Sequence, residues 1–499
     1  MADSPKVKIL EEYTNKIRDI PVFVSIRKKE DSYTYSYNVS ISGISKNTEI
    51  VLEEIQEQLI KVMNLENFSV DEVTGETDEK FDLEATKILN EFFPHSDDET
   101  KTLLKSYLLS RSLGMGYMDF LLHDSQLEEI AIDNAQEPIW VYHRKWGWMR
   151  TNIYMSSEEQ IKQTAARIGR NVGRQINTLN PLLDASLPSG ERVNATITPI
   201  TVKGNTITLR KFSEDPWTIT KFIETNTLSS NVAAFIWQIM QFEMSILVVG
   251  GTASGKTSML NALSNFIPPN QRIISIEDTA ELKLASFLYW VPMMTRLENS
   301  EGKGKITMED LLVNSLRMRP DRILVGEVRK SADAETLFEA IHTGHSCYAT
   351  FHANNAREAI ARLTSEPVNV PKALLPAINI MLVQFRNRRT GKRRTFEVAE
   401  VLENNEYNIL FKYDAKRDKL SETEKSKRVM QELSMFTGLS ETELKKDLDE
   451  KKTILDAMVK LKIFNIEKVG KIMADYYADK DKLILRINQA LKNTKKRGA

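Results

Sequence analysis

The segment with the clearest chemistry is residues 250–257, which reads Gly-Gly-Thr-Ala-Ser-Gly-Lys-Thr and fits the phosphate-loop pattern G-x-x-x-x-G-K-[ST]. Its glycines allow backbone N–H groups to turn toward phosphates, Lys256 supplies a positive charge, and the Thr257 hydroxyl can bind Mg²⁺. The pattern therefore predicts a site for ATP and Mg²⁺. The predicted nucleotide-binding residues are Gly250, Gly251, Thr252, Ala253, Ser254, Gly255, Lys256, Thr257 and Ser258.

Two glutamates follow apolar runs downstream of this loop. Glu277 ends the run 272–276, and Glu327 follows the run 322–326. Because ligands of open α/β sheets bind at the carboxyl ends of the strands, both side chains are expected near the phosphates. Glu327 is the candidate for polarising the attacking water, and Glu277 for supporting Mg²⁺ or that water. The predicted metal ligands are Thr257, Glu277 and Glu327, and the alternative for Glu327 is a surface glutamate paired with Arg329.

Three of the six histidines lie between residues 342 and 352. We expect His345 and His352, on either side of a short strand, to position or sense the γ-phosphate. A second interpretation is two core histidines with no catalytic role. A third is a zinc site, although alternation along a strand would place Cys347 and His352 on opposite faces. The zinc ligands in that case would be His342, His345, Cys347 and His352.

The elements around the loop agree with its function. Residues 245–249 are an apolar run typical of a buried strand, and Met259, Leu260, Leu263 and Phe266 recur at helical spacing. The predicted order is therefore strand, loop, helix. The loop lies at a helix N-terminus, where the helix dipole favours anions.

Length and composition predict several soluble domains. The chain has 499 residues, 41% hydrophobic and 27% charged, with a formal net charge of -1. A single cysteine, Cys347, excludes a disulfide framework and a four-cysteine zinc site. No apolar run approaches the roughly 18 residues of a membrane span, and the start of the chain has no signal-peptide core, so we expect a cytoplasmic location.

Pattern changes along the chain predict an α/β protein in five parts. Alternating residues between 21 and 42 predict a hairpin, and the Pro- and Thr-containing stretch 213–230 is typical of a linker. The parts are an N-terminal α/β partner-binding region (1–100), a mixed α/β domain (101–212), the linker (213–230), the ATPase core (231–415) and a helical C-terminal extension (416–499).

The densest basic run is residues 386–394. It lies between the strand-like segments 380–385 and 395–398, with Thr390-Gly391 at the turn, so a solvated hairpin tip is predicted. An anionic membrane or partner surface and a nucleic acid are the alternatives for this run.

Four motifs in a fixed order resemble one family. They are the phosphate loop, Ile276-Glu277-Asp278, Val325-Gly326-Glu327, and Thr343-Gly344-His345 with Thr350-Phe351-His352. This order resembles the type II/type IV secretion ATPase family, the hexameric motors of secretion, pilus assembly and the archaellum, over about residues 115–415. The resemblance implies a RecA-like core. Within the family, four phrases resemble the archaeal branch: 140–145, 182–184, 187–193 and 363–367. The chain also cannot form the four-cysteine zinc insertion of bacterial pilus-assembly members, which favours the same branch.

The resemblance also implies further residues and partners. Family members bring arginines from the domain before the linker onto the nucleotide, and Arg192 and Arg210 stand at the matching motifs, with Arg174 a weaker candidate. The expected protein is a homo-hexamer at the inner face of the cell membrane, driving pilin- or archaellin-like subunits through a polytopic platform protein, with 213–230 as its hinge and no nucleic acid as a partner. The alternatives are a nucleic-acid translocase or conjugative DNA-transfer ATPase, and a non-hydrolysing scaffold.

Overall fold

The fold is that of a computed structural model, which divides into two compact units, residues 1–214 with 299–301 and residues 215–298 with 302–499. It describes residues 7–17, 20–41, 43–63, 75–112, 117–187, 190–211, 216–298, 302–404 and 406–497. Pro188 and Ser189 of the archaeal-like phrase, Phe212 at the end of the expected α/β domain, and 213–215 of the expected linker lie outside these residues.

The first unit is built on a single nine-stranded sheet. Its strands are β1 (Val7–Ile17), β2 (Ile20–Lys29), β3 (Tyr35–Ile41), β4 (Leu127–Ile132), β5 (Trp140–His143), β6 (Gly147–Thr151), β7 (Leu182–Ser186), β8 (Arg192–Thr196) and β9 (Thr206–Arg210). In space they lie in the order β1-β2-β3-β6-β5-β4-β9-β8-β7, and only β3 and β6 pair in parallel. The hairpin predicted between 21 and 42 is confirmed as β2 and β3.

The boundary expected near residue 100 is absent from the structure. Because β3 pairs directly with β6, the regions 1–100 and 101–212 share one sheet. They also share one hydrophobic core, which contains Ile26, Leu104 and Val193. The helices of this unit are α1 (Lys46–Met63), α2 (Gly75–Phe92), α3 (Asp98–Ser112), α4 (Tyr117–Leu122) and α5 (Glu158–Asn171).

The second unit has its own nine-stranded sheet. Its strands are β10 (Ile246–Gly250), β11 (Ile273–Glu277), β12 (Trp290–Met294), β13 (Arg322–Val328), β14 (Ser346–Phe351), β15 (Ile380–Arg386), β16 (Arg393–Val401), β17 (Tyr407–Asp414) and β18 (Lys419–Glu422). The order is β12-β11-β13-β14-β10-β15-β16-β17-β18, parallel as far as β15 and antiparallel beyond it. Every residue of β10 is buried, as expected for a central parallel strand covered on both faces.

Helices cover both faces of the second sheet, and side chains alternate along β10 to meet them. Ile246 and Val248 face one core cluster, and Leu247 and Val249 face the other. The helices are α6 (Ile219–Glu224), α7 (Ser230–Gln241), α8 (Lys256–Ser264), α9 (Met308–Ser315), α10 (Ser331–His342), α11 (Ala356–Leu363), α12 (Val429–Thr437), α13 (Glu441–Lys460), α14 (Ile466–Ala478) and α15 (Lys480–Arg497), with a 3-10 helix at Lys372–Ala377. No helix in the described ranges is both long and apolar enough to cross a membrane.

Two further sequence-based boundaries differ from the structure. The described part of the expected linker is packed within the second unit, since Thr218 Oγ1 donates to the Phe464 carbonyl at 3.0 Å and Thr220 Oγ1 to the Ile463 carbonyl at 2.7 Å. The expected C-terminal extension is also not separate. Its helices contribute Leu455 and Met473 to the core that contains β10 and α8. These segments contain helical patterns with no sequence signal for what they pack against.

Candidate nucleotide site

The phosphate loop connects the carboxyl end of β10 to the start of α8, as predicted. Gly255, the residue before α8, has φ of +93°, a conformation that side chains with a Cβ rarely adopt. The N–H of Met259 donates to the Gly255 carbonyl at 2.9 Å. The backbone N–H groups ahead of it in the first turn therefore point out of the helix, where a phosphate can accept them.

The interior of the loop fits a phosphate group. A Cβ on Gly250 would lie 2.3 Å from Ser254 Oγ and 2.7 Å from the Gln384 carbonyl, so only glycine allows this close turn. Ser254 Oγ is buried and has no hydrogen-bond partner among the described residues. A buried donor without an acceptor is costly, and an anion in the loop would satisfy it. The Ser254 hydroxyl and the backbone N–H groups of the loop can therefore donate hydrogen bonds to a phosphate oxygen.

Glu327 lies at the loop and pairs with both Lys256 and Arg329. Its Oε1 is 3.9 Å from Lys256 Nζ. Its Oε2 accepts hydrogen bonds from Arg329 Nη2 at 2.6 Å and Arg329 Nε at 2.9 Å. The surface pairing with Arg329 is therefore present, but it occupies one carboxylate oxygen and leaves the other facing the phosphate-binding lysine.

Glu277 occupies the neighbouring strand end in a different environment. It is 3% exposed, and its Oε1 accepts hydrogen bonds from the backbone N–H groups of Glu281 at 3.0 Å and Leu282 at 3.1 Å. Burial raises the pKa of this carboxyl group to about 7, against the lowering effect of those two bonds. A Cβ on Gly326 would lie 3.3 Å from Glu277 Cγ, so the glycine allows the two strand ends to approach.

The oxygen donors at this edge suit a hard cation. A hydroxyl from Thr257 and carboxylates from Glu277 and Glu327 are ligand types that Mg²⁺ prefers, and it takes its remaining ligands from water and phosphate. β11 and β13 are paired neighbours, which places both glutamates at one edge of the sheet. The residues therefore fit the Mg²⁺ that the phosphate-loop motif implies.

The two histidines lie at opposite ends of β14. His352 follows the carboxyl end, and its Nε2 is 3.1 Å from Thr252 Oγ1 in the loop. His345 precedes the amino end, with its Nδ1 3.2 Å from the Ala340 carbonyl and 3.2 Å from Thr343 Oγ1. A strand of six residues separates them, or roughly 20 Å. The structure thus brings His352 to the loop and does not bring His345 there.

The zinc interpretation is not supported by the geometry. No group of three or more His, Cys, Asp or Glu side chains that could hold a metal ion occurs within the described ranges. Cys347 is buried in β14, and burial raises the pKa of its thiol, which opposes the thiolate that zinc binds. His342 is exposed at the end of α10.

The three candidate arginines, Arg174, Arg192 and Arg210, lie on neighbouring segments of the first unit. Arg192 and Arg210 face each other across the β8–β9 pair. Arg192 forms a bidentate ion pair with Asp184, with Nη2–Oδ2 at 2.8 Å and Nε–Oδ1 at 3.1 Å. Both side chains are about half exposed. Arg174 donates to the Asp184 carbonyl oxygen. Asp184 thus holds Arg192 through its carboxylate and Arg174 through its carbonyl, and Arg210 lies opposite Arg192 on β9.

The basic run 386–394 covers the turn between β15 and β16 and the adjoining strand ends, so the predicted hairpin is confirmed. Arg394 and Lys392 pair with Asp418, at 2.7 and 3.2 Å. Arg393 instead reaches the phosphate loop, where its Nε donates to the Ala253 carbonyl at 3.1 Å. Sequence reasoning placed Arg393 in a solvated tip and gave no role to Arg362, which contacts His352. Neither residue has a local signal, because both contacts join segments distant in sequence.

A family model and several known proteins match this chain. A family model described as type II/IV secretion system protein matches residues 118–435, which include all the site residues named above. An uncharacterised protein of Methanocaldococcus jannaschii is 33% identical over 384 residues, 74% of this chain and 69% of the relative. A putative conjugal transfer protein of Mycobacterium tuberculosis is 30% identical over 316 residues, 60% of this chain and 88% of the relative. The solved structure of the Legionella pneumophila ATPase DotB is 19% identical, with a TM-score of 0.43 over 72% of this chain and 95% of that one.

Proposed function

Since this chain belongs to the type II/IV secretion system protein family, we propose that it is a Mg²⁺-dependent ATPase that powers assembly of a type IV pilus-like filament, a pilus or an archaellum, or a related secretion process. The proposal of ATP hydrolysis rests on the arrangement of side chains at one edge of the second sheet. There, Glu327 Oε1 lies 3.9 Å from Lys256 Nζ, beside a loop built to hold phosphates. The relative from Methanocaldococcus jannaschii favours the archaeal branch.

Each residue at this edge has a proposed role. Lys256 and the N–H groups of the loop bind the phosphates. Thr257, Glu277 and Glu327 are the proposed Mg²⁺ ligands, and the ion supplies charge neutralisation for the phosphate oxygens. Glu327 accepts the proton of the water whose oxygen attacks the terminal phosphorus. The bond from that phosphorus to the bridging oxygen breaks, which yields ADP and phosphate.

Arg192 and Arg210 are the proposed source of positive charge for the transferred phosphoryl group. Charge develops on the transferred phosphoryl group, and a guanidinium supplied within the chain or by a neighbouring subunit can stabilise it. Arg192 would then exchange its pairing with Asp184 for the nucleotide. Their position side by side on β8 and β9 supports a joint role.

The Glu327→Gln variant tests the hydrolytic site. We expect ATP to bind while kcat falls by about 10²-fold or more, because the amide cannot accept the proton. Glu335→Gln is the matched control, an exposed glutamate on α10 outside the site. Turnover at the wild-type rate in Glu327→Gln would refute the assignment of the base.

The motor part of the proposal concerns partners. We propose a homo-hexamer bound peripherally to the inner face of the cell membrane through a polytopic platform protein. The test uses the Glu327→Gln protein with ATP, crosslinked in membranes of the source organism and analysed by mass spectrometry and light scattering. We expect a platform protein with pilin- or archaellin-like subunits and a mass near six chains. A monomer recovered without such proteins would contradict it.

A conjugative DNA-transfer ATPase is the second candidate, favoured by the relative named as a putative conjugal transfer protein. The hydrolytic site would be the same, so the discriminating measurement is the response to nucleic acid. Stimulation of ATP turnover by single-stranded DNA would favour this candidate, and an unchanged rate would favour the filament motor.

A further inference from the structure

A chain of three polar side chains joins α11 to the phosphate loop. Arg362 Nη1 lies 3.2 Å from His352 Nδ1, and His352 Nε2 lies 3.1 Å from Thr252 Oγ1. Arg362 is anchored at the same time, because Nη1 also donates to the His352 carbonyl oxygen and the guanidinium lies 5.8 Å from the centre of the Phe351 ring. Arg362 therefore contacts both the backbone and the imidazole ring of His352.

The chemistry of the guanidinium sets the direction of this chain. Arginine has five N–H donors and no acceptor, so in its bond with Arg362 the Nδ1 of His352 must be the acceptor. The ring is then neutral, with its proton on Nε2. That Nε2–H donates to Thr252 Oγ1, which leaves the hydroxyl hydrogen of Thr252 available for another acceptor. Hydrogen bonds that run in one direction strengthen one another.

The available hydrogen belongs to a residue of the loop itself. Thr252 is exposed and is the third residue of the phosphate-loop motif. We infer that Arg362 is a positioning residue that holds His352 as the neutral Nε2–H tautomer, so that the Thr252 hydroxyl donates to a phosphate oxygen of the bound nucleotide. This inference rests on the proposed function, since it concerns the same nucleotide.

Without Arg362, the His352 ring is no longer held as the Nε2–H tautomer. The ring can then carry its proton on Nδ1 and accept at Nε2 the hydrogen that Thr252 would give to phosphate. The hydroxyl would offer the phosphate only lone pairs, so one hydrogen bond to a charged group would be lost. We expect kcat/KM for ATP to fall about tenfold.

A double-mutant cycle tests whether Arg362 acts through His352. The variants are Arg362→Gln, His352→Ala and the double variant, assayed for kcat/KM and thermal unfolding, with Arg357→Gln as the matched control. Arg357 is exposed on the same helix. We expect Arg362→Gln to lose about tenfold, the double variant to equal His352→Ala, and the control to match the wild type.

Several outcomes would overturn the inference. In the first, kcat/KM of the double variant is reduced by the product of the two single effects, which would mean that Arg362 acts independently of His352. In the second, Arg362→Gln has the kcat/KM of the wild type. If Arg362→Gln does not fold, the nitrogen-15 chemical shifts of the His352 ring in the folded wild type decide the inference, and a ring proton on Nδ1 would overturn it. A wild type that binds but does not hydrolyse ATP would refute the proposed function, and the same cycle, read as ATP affinity by calorimetry, would still decide the inference.

Discussion

Two glutamates at one sheet edge have opposite environments. Glu277 is buried among the strands, and its pKa is raised to about 7, whereas the Glu327 side chain is 24% exposed and contacts Lys256 and Arg329. Burial without a cationic neighbour favours the protonated form of Glu277, which cannot accept a proton. The difference favours Glu327 as the group that handles the proton of water and Glu277 as the group that supports the site.

The buried Glu277 predicts a pH dependence of stability. Its folded pKa, about 7, lies above its ordinary value of 4.5, so its favourable contribution is complete below pH 4.5 and is lost as the pH rises through 7. The loss is about 3 kcal/mol. In Glu277→Gln, where the amide oxygen can still accept the two backbone bonds, we expect no such loss. The measurement is the thermal unfolding midpoint of both nucleotide-free proteins at pH 5 and pH 8.

The control for this experiment is Glu339→Gln, an exposed glutamate on α10 that does not contact Glu277 in the described structure. It should follow the wild type. A wild-type midpoint that changes with pH in the same way as that of Glu277→Gln would contradict the raised pKa.

At the scale of elements, the hairpin β15–β16 determines what lies beside the loop. β15 pairs in parallel with β10, with Gly250 opposite Gln384, so the turn of the hairpin extends past the sheet edge alongside the loop. Arg393 then contacts Ala253, a loop residue with φ of +58°. A non-glycine residue with positive φ is strained, and the bond to its carbonyl helps to hold that conformation.

The Arg393→Ala variant tests this support. We expect KM for ATP to rise about 3- to 10-fold, because a loop without the bond is less well ordered for phosphates. Arg389→Ala is the matched control, since Arg389 is exposed on the same turn. An equal KM in both variants would show that the hairpin does not support the loop.

At the scale of the whole molecule, the C-terminal helices complete the core around α8. Trp237 of α7 stacks on Phe266, just beyond α8, with ring centres 5.4 Å apart. Its Nε1 donates to Tyr477 Oη at 3.0 Å, and Tyr477 donates to the Phe266 carbonyl at 2.6 Å. Lys451, fully buried, bonds to Asp447 and Tyr476 beside them. The segment after the phosphate-loop helix is therefore held by helices that the sequence placed in an extension.

Removal of residues 438–499 should therefore prevent cooperative folding of the second unit. Truncating one buried tryptophan to alanine alone costs about 3–5 kcal/mol, and this deletion uncovers several aromatic side chains together. We expect aggregation or a broad unfolding transition in thermal scans. Removal of residues 493–499 is the control and should leave the transition unchanged. A soluble 1–437 protein with the wild-type midpoint would contradict the shared core.

Much of the nucleotide site in the second unit could be predicted from residues that are contiguous in sequence. A strand, the loop residues 250–257 and a helix are contiguous, so the phosphate loop could be predicted from local pattern alone. Glu277 and Glu327 each end an apolar run, and the rule that parallel strands end at one edge was enough to place them together. The hairpin at 386–394 likewise needed only two neighbouring strands and a turn.

What only the tertiary structure decided is pairing between segments distant in sequence. The β3–β6 contact joins residues 1–100 to the domain that follows, and the bonds of Arg362 to His352 and of Arg393 to Ala253 depend on which elements become neighbours. Strand direction separates His345 from the loop and leaves His352 beside it. Periodicity records which face of an element is apolar, but not which partner covers that face, because many partners bury apolar area equally well. The sequence thus determined the phosphate chemistry of this protein, and the tertiary structure decided which side chains surround it.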